Sequence, residues 1–471
     1  MTKNLTTGNP MKLILCFTLP TLFGMLFQQM YNMVDTMIVG KLLGAQALAA
    51  VGATGSISFL VIGFCTGVCG GFAIPVAQQM GAGNHSLMRK YVANAAYLSA
   101  LLATVMTVAT GLLCGRILTA MRTPDDIYRD SYRYIFIIFM GIPVTYLYNL
   151  LAGVIRSLGD SRTPVYFLAL SSILNIVLDF ALILYGNLGV AGAAIATVVS
   201  QGVSGLACLA YMAARFPILR PSREERRPDA AINRELLGMG VPMGLQYSIT
   251  AIGSIILQSA VNGLGSLYVA AIAAGAKLFQ VLSCPFDAMG TAMATYCGQN
   301  AGAGKLNRLG KGVRGCVLLG FGYAVMALGA MLLFAPSCAM WFIDPQEEEI
   351  SLLQALVVRY TLTCAAFCFP LALVNIVRFS IQGMGFSMFA ILAGVLEMIA
   401  RSVVGSVFVP AFGFGAACFA SPAAWICADL FLIPACVLCI GRLRRRQMRS
   451  KKDPRYRRRH LRGVRLRQAH A

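Results

Sequence analysis

Long apolar blocks separated by short polar gaps fill the chain from Leu13 to Ile440. A helix needs about 20 mainly apolar residues to cross a bilayer core. The blocks predict twelve such helices, near 13–38, 48–77, 91–113, 132–152, 165–185, 189–214, 238–262, 268–297, 315–335, 352–377, 388–408 and 415–440. The first block is of full length and no small-residue cleavage site follows it, so it is expected to remain as the first span.

Within these blocks the polar positions are not scattered. Met25, Gln28, Asn32 and Asp35 follow one another at helical spacing and lay a stripe on one face of the first span. Ser171, Asn175 and Asp179 do the same on the fifth span, and Thr197, Gln201 and Ser204 on the sixth. Three such faces turned away from lipid would line a wet cavity holding two carboxylates. An acid at the centre of a span costs about 2.5 to 3.5 kcal/mol on insertion scales, so each demands a partner, a proton or a function. Two acids close together do not easily both stay ionised, which makes the pair a candidate site for a proton or a bound cation. The plainer reading of either residue is a hydrogen-bond acceptor that fixes helix packing.

The other acids inside spans are Asp287, Glu397 and Asp429. Glu397 and Arg401 stand one turn apart with the acid first, the favourable order for an intrahelical pair, and read first as structural. Asp287 could face Lys277 or a central cavity, and Asp429 lies near Pro434. Asp287, Glu397 and Arg401 are the candidate functional residues of the second half.

An internal repeat organises the chain. Gln78, Gly81, Ala82 and Gly83 return as Gln299, Gly302, Ala303 and Gly304, Gly44 returns as Gly265, and Pro20, Asn149 and Gly159 return as Pro242, Asn375 and Gly385. Six spans per copy bring the chain back to the same side, so the two copies share one orientation about an axis along the membrane normal, an arrangement found in transporters. The expected units are a first lobe over 1–214, a linker over 215–236, a second lobe over 237–440 and a basic tail over 441–471.

Composition agrees with a membrane protein: 58% of residues are hydrophobic and 12% charged, against roughly 25% charged in soluble domains. The net charge of +21 could suggest nucleic acid. Its placement argues otherwise, because most Lys and Arg fall at the N-terminus, in even-numbered loops and in the tail, whereas odd loops carry Lys41, Arg116, Arg122, Arg129 and Arg133. That bias places both termini in the cytoplasm, with Asp344 and Glu347 to Glu349 outside. The tail, from Arg442 to Arg467, is expected to be disordered and to attract anionic lipid headgroups. No aromatic interleaving or folded module accompanies it, so no nucleic-acid partner is expected. The cysteines lie mostly inside spans as small hydrophobes, and the Cys436 and Cys439 pair lacks a second pair for zinc.

Taken together, the stretch from Pro20 to Gln28, Tyr31, Asn32, Asp35 and Gly40, the Gln78 to Gly83 turn, the R-x-x-G-D-x-x-x-P loop from Arg156 to Pro164 and the Gly298 to Gly304 turn resemble the multidrug and toxic compound extrusion (MATE) family. The resemblance runs from about Leu13 to Ile440. It implies an all-α membrane protein of twelve helices in two six-helix bundles related by pseudo-two-fold symmetry along the membrane normal, working by alternating access. It further implies a DinF-like branch, with Asp35, Asn175, Asp179 and Thr197 as the cation site of the first lobe. Met25, Gln28, Asn149 and Asn175 fall on that branch's substrate cavity, and Asn32 on the same stripe is placed with them. The NorM-like branch carries acids in its seventh and tenth helices, where this chain offers Gln246, Gln258, Asn262 and Asn375.

The expected function is therefore a monomeric, multi-pass antiporter of the plasma (inner) membrane. It exports organic compounds, cationic or amphipathic, in exchange for protons or sodium ions, and needs no resident cofactor or metal. A lipid-linked oligosaccharide flippase is the alternative, but it calls for a strongly cationic cavity, and apart from Arg133 at the edge of one, only Lys277, Arg359 and Arg401 lie within the expected spans. A passive channel or receptor would ignore ion gradients. An enzyme is not expected: His85 is the one histidine outside the tail and has no nucleophile motif near it.

Overall fold

A computed structural model describes residues 4–121, 123–340 and 350–452. The acidic stretch at Asp344 and Glu347 to Glu349, Arg122 and the tail beyond 452 lie outside the described residues. The first half runs through α1 (Pro10–Leu43), α2 (Ala45–Gly81), α3 (His85–Ala120), α4 (Asp125–Met140), α5 (Ile142–Ser157), α6 (Thr163–Phe180) and α7 (Val190–Arg215). The second runs through α8 (Ala230–Asn262), α9 (Ser266–Gly302), α10 (Leu306–Ala339), α11 (Ile350–Ala366), α12 (Cys368–Gly383), α13 (Ser387–Val403), the short α14 (Val409–Phe412) and α15 (Phe414–Lys452).

Ten of these are long and apolar enough to cross a membrane, and the pairs α4 with α5 and α11 with α12 each make one further span, bent by 46° and 51°. The fourth and tenth spans are thus broken rods, which the apolar blocks did not foretell. Pro143 and Pro370 sit just past the two breaks, each lacking the N–H that would continue the helical ladder. Side chains cap only some of the helix starts. Asn9 and Asp229 cap α1 and α8 by accepting hydrogen bonds from the first free N–H groups.

The repeat is written in the backbone. A π-helical turn follows α6 at Ala181–Tyr185 and follows α13 at Val404–Phe408. Left-handed glycines pair across the halves as Gly44 with Gly265, Gly83 with Gly304, Gly159 with Gly385 and Gly189 with Gly413. A side chain resists that conformation, so these positions fix where each copy turns.

Buried apolar side chains form two large clusters. One draws on residues from Ile57 to Leu236, the other on residues from Val261 to Cys439. They do not divide at the linker alone, because Leu5, Ile14 and Phe17 join the second cluster, and Ile232 and Leu236 at the start of α8 join the first. The most extensive helix pairing in the molecule is α2 against α8. Each half thus lends the beginning of its first helix to the other. The linker is also held: Glu225 is gripped by Arg89 at 2.7 Å and by Ser86, and Glu235 accepts from Tyr91, all on α3. The basic tail does not begin at 441, since α15 continues as helix to Lys452 and Gln447 donates to the Gly304 carbonyl at 2.7 Å.

Candidate functional site

Three constellations of polar side chains lie within the bundle. The first joins α1, α6 and α7. The Asp35 and Asp179 carboxyls meet there, while Asn175 donates to the Thr197 hydroxyl at 3.3 Å and Tyr31 shares a 3.4 Å hydrogen bond with the same hydroxyl. Asn175 and Asp179 are wholly buried, whereas Tyr31, Asp35 and Thr197 keep partial exposure. Both Asp179 oxygens, one Asp35 oxygen and the Asn175 side-chain oxygen find no hydrogen-bond donor among the described residues. No Lys or Arg of the described residues forms an ion pair with either acid. Helical spacing explains the convergence, for residues at i and i+4 share a face, and it brings together all four residues expected at a cation site. Tyr31 and, from α4, Tyr134 also stand close to both acids. Tyr31 figured among the family-like residues, whereas no spacing pointed to Tyr134.

The second constellation is a central cavity of about 250 Å³ lined by both halves. Met25, Gln28 and Asn149 line it as expected from the stripe and the resemblance, but Asn32 and Asn175 do not. Asn32 is exposed and donates to Gln29 at 3.4 Å, and Asn175 faces the carboxylates instead. Arg156, Tyr148 and Tyr247 complete the wall. Arg156 was placed at the start of the R-x-x-G-D-x-x-x-P loop, outside the cavity, because the fourth span was expected to end at 152. In fact α5 reaches Ser157, which carries the arginine inside.

The third lies in the second half. Glu397 and Arg401 do pair along α13 at 3.6 Å, but Glu397 has a closer partner in Arg378 from α12, a residue expected in a loop beyond 377. All three are buried. Asp287 faces Asn375 and Arg378, and buried Asp429 lies near Arg378 as well. Lys277 is exposed and is not the partner of Asp287.

The cavity is sealed at the end where α2 and α9 finish. Gln78 donates to the Gly383 carbonyl at 3.0 Å, and its counterpart Gln299 donates to the Ser157 carbonyl at 2.8 Å. A Cβ on Gly81 would strike the Gln299 carbonyl and one on Gly302 the Gln78 carbonyl, so only glycine lets these backbones approach. The chain's beginning is stitched to the same seam. Leu5 donates to Gln299 at 3.0 Å, Asn300 donates to the Leu5 carbonyl at 3.1 Å, and Lys305 donates to the Thr6 carbonyl at 2.9 Å.

The MatE family model matches residues 20–181 and 242–408, one match in each half. The chain belongs to the MatE family. Among its relatives, the probable multidrug resistance protein YpnP of Bacillus subtilis is 32% identical over 64% of this chain and 68% of its own length. A second from the same organism, the probable multidrug resistance protein YoeA, is 29% identical over 70% of this chain and 73% of its own. The fold is shared with a solved MATE transporter described as outward-facing, at a TM-score of 0.86 and 21% identity over 94% of this chain and 99% of that one. This MatE chain is accordingly an all-α membrane transporter of twelve spans in two repeated bundles.

Proposed function

We propose that the protein is a secondary antiporter that exports amphipathic organic compounds in exchange for protons or sodium ions bound at Asp35 and Asp179. The observation that carries this reading is wholly buried Asp179 facing partly exposed Asp35, with no basic partner for either among the described residues. Such a pair cannot hold two negative charges cheaply, so it takes up a proton or a cation. The surrounding donors are oxygens from Asp, Asn, Thr and Tyr, a set suited to a hard ion and not to a thiophilic metal. The coupling ion is cargo, with no resident cofactor.

Helix α1 links this site to the rest of the transport cycle. It runs unbroken from the seam, where Ile14 and Phe17 pack into the second core, past the cavity at Met25 and Gln28, to Asp35. An ion arriving at Asp35 therefore acts on the same rigid element that touches cargo and seal. Coupling requires only that the ion's affinity differ between the two states. By the positive-inside bias the sealed end faces the cytoplasm, both termini lie there, and the cavity opens outward. We place the protein in the plasma (inner) membrane as a monomer, its basic C-terminal segment against anionic headgroups and not on nucleic acid. The multidrug resistance names of the relatives favour this reading over a flippase.

The test is efflux from proteoliposomes under imposed proton or sodium gradients. One of the two gradients is expected to drive export, and Asp35→Asn and Asp179→Asn are expected to stop it. Export that persists unchanged in both variants would remove the coupling site.

A further inference from the structure

The central cavity has an electrostatic character that the exporter reading alone does not supply. Among the described residues Arg156 is the one charged residue in its wall; the polar remainder consists of hydroxyls and amides such as Gln28, Tyr148 and Asn149. No described residue accepts a hydrogen bond from its guanidinium, and no described carboxylate lies within ion-pair distance of it. The groups whose charge it would feel are Tyr148, Tyr247, Cys208 and Cys69, with no acid among them. Two tempting acids are engaged elsewhere: Asp160 is folded onto Thr163 and the Arg162 amide, and Asp287 faces Arg378. Arg156 sits in the last turn of α5, where a cation favours the helix dipole, but that end-effect uses no side-chain donor.

A guanidinium offers five N–H donors in a planar fork that matches an oxyanion two bonds at a time. In a cavity partly screened from water such a fork attracts a carboxylate or phosphate oxygen and repels a second cation. Apolar walls from Met25, Ile74, Val165 and Phe379 would hold the body of the same molecule. Resting on the exporter reading, we propose that this cavity selects amphipathic organic anions, or zwitterions with an exposed oxyanion, with Arg156 as the specificity-determining contact. That departs from the cationic cargo which the resemblance suggested. The neutral hydroxyls around the guanidinium let the oxyanion be of either kind, carboxylate or phosphate monoester.

Equilibrium binding to the purified full chain separates this from the coupling question, because it needs no gradient. The probes are carboxyfluorescein as the anionic dye and ethidium as the cationic one, with benzoate and inorganic phosphate as competitors. The wild type is expected to bind carboxyfluorescein more tightly than ethidium. Arg156→Gln should weaken the anionic dye about ten- to a hundredfold, the range for losing a charged hydrogen-bond partner, and leave ethidium equal or tighter. Arg156→Lys, which keeps the charge and loses the fork, should fall between, and it guards against a folding defect in the first variant. Displacement by benzoate or by phosphate assigns the oxyanion class. Preference of the wild type for ethidium, binding of neither dye, or an Arg156→Gln loss that is the same for both dyes would each overturn the proposal. If the anion binds through Arg156 but no gradient drives its export, the selectivity stands and the antiport reading fails. Gradient-driven ethidium export untouched by Arg156→Gln, with no anion bound, has the opposite meaning.

Discussion

The helix ends at α6 and α13 occupy matching places in the two halves, each followed by a π-helical turn, yet they solve the problem of buried charge in opposite ways. In the first half Asp179 meets another acid, Asp35, and several of their oxygens have no donor. In the second half Glu397 is clasped by Arg378 and Arg401. One cluster carries its counter-charge within the chain. The other finds none among the described residues, which is what the proposed ion coupling calls for. A repeated fold therefore does not imply repeated chemistry: about two turns apart on matching helices, one copy holds two facing acids and the other a closed ionic clasp.

The largest effect that would sharpen this contrast is expected in transport. Asp35→Asn or Asp179→Asn should reduce gradient-driven efflux to the level of empty liposomes while leaving the thermal midpoint equal or higher, since each removes a charge with no partner to lose. Glu397→Gln should do the reverse. It strands two buried arginines, and breaking a buried ion pair typically costs 3 to 5 kcal/mol, read as a lower midpoint in detergent melting. Molecules that remain folded should still couple. Combining it with Arg378→Gln should recover part of the stability, because the double change removes charges of both signs. If Glu397→Gln instead leaves stability intact and abolishes coupling, the contrast between the halves is broken.

A third effect, smaller in energy, concerns the seam. Gln78 and Gln299 make reciprocal bonds to the opposite half, but Gln299 also holds Leu5. Each such bond is worth about 0.5 to 1.5 kcal/mol net. Gln299→Ala should therefore open the seal more than Gln78→Ala does, by a few-fold in population. Pulsed electron spin resonance between labels at the exposed His85 and Asn307 would read this as a growing long-distance fraction. Equal shifts in the two variants would mean that the N-terminal strap adds nothing.

Much of this architecture could be read from the chain, for definite reasons. Twelve apolar blocks, the duplicated turns at Gln78 and Gln299 and the stripe ending at Asp35 are periodic or repeated features, and periodicity survives folding. Asn175, Asp179 and Thr197 were legible because they sit on regular helices whose polar faces have one place to go. What escaped depended on helix ends and on contacts between distant elements. Arg156 and Arg378 were assigned to loops because the apolar blocks stop at 152 and 377, whereas α5 and α12 run on to Ser157 and Gly383. Glu397 and Arg401 were visible as a pair, whereas its dominant partner came from another helix. The basic stretch after Gly441 was expected to be disordered, but α15 continues through it to Lys452, and Arg442 packs over the Phe389 ring. Charge alone does not end a helix that already has a long apolar stem.

The smallest effect probes whether the halves communicate through the linker. Unlike the seam, the linker is tied to one half, through the Arg89 and Ser86 bonds to Glu225. Hydrogen bonding to Arg89, ahead of the Ser86 and Ser222 contacts, holds the Glu225 carboxyl down at about 2, against 4.5 for a free glutamate. A folded value below the unfolded one means that the contact's stabilisation is complete above about pH 4.5 and fades as pH falls toward 2. It is therefore constant across the range in which transport is measured. Because Arg89 is partly exposed, Glu225→Gln should cost no more than about 1 kcal/mol. Hydrogen exchange at the Ser222 and Glu225 amides should quicken at pH 7, with the difference from wild type shrinking at the acid limit. Export should stay the same, since α1 and not the linker joins the ion site to the seam. A fall in export matching that of Asp35→Asn would instead make the linker a working part of the coupling path.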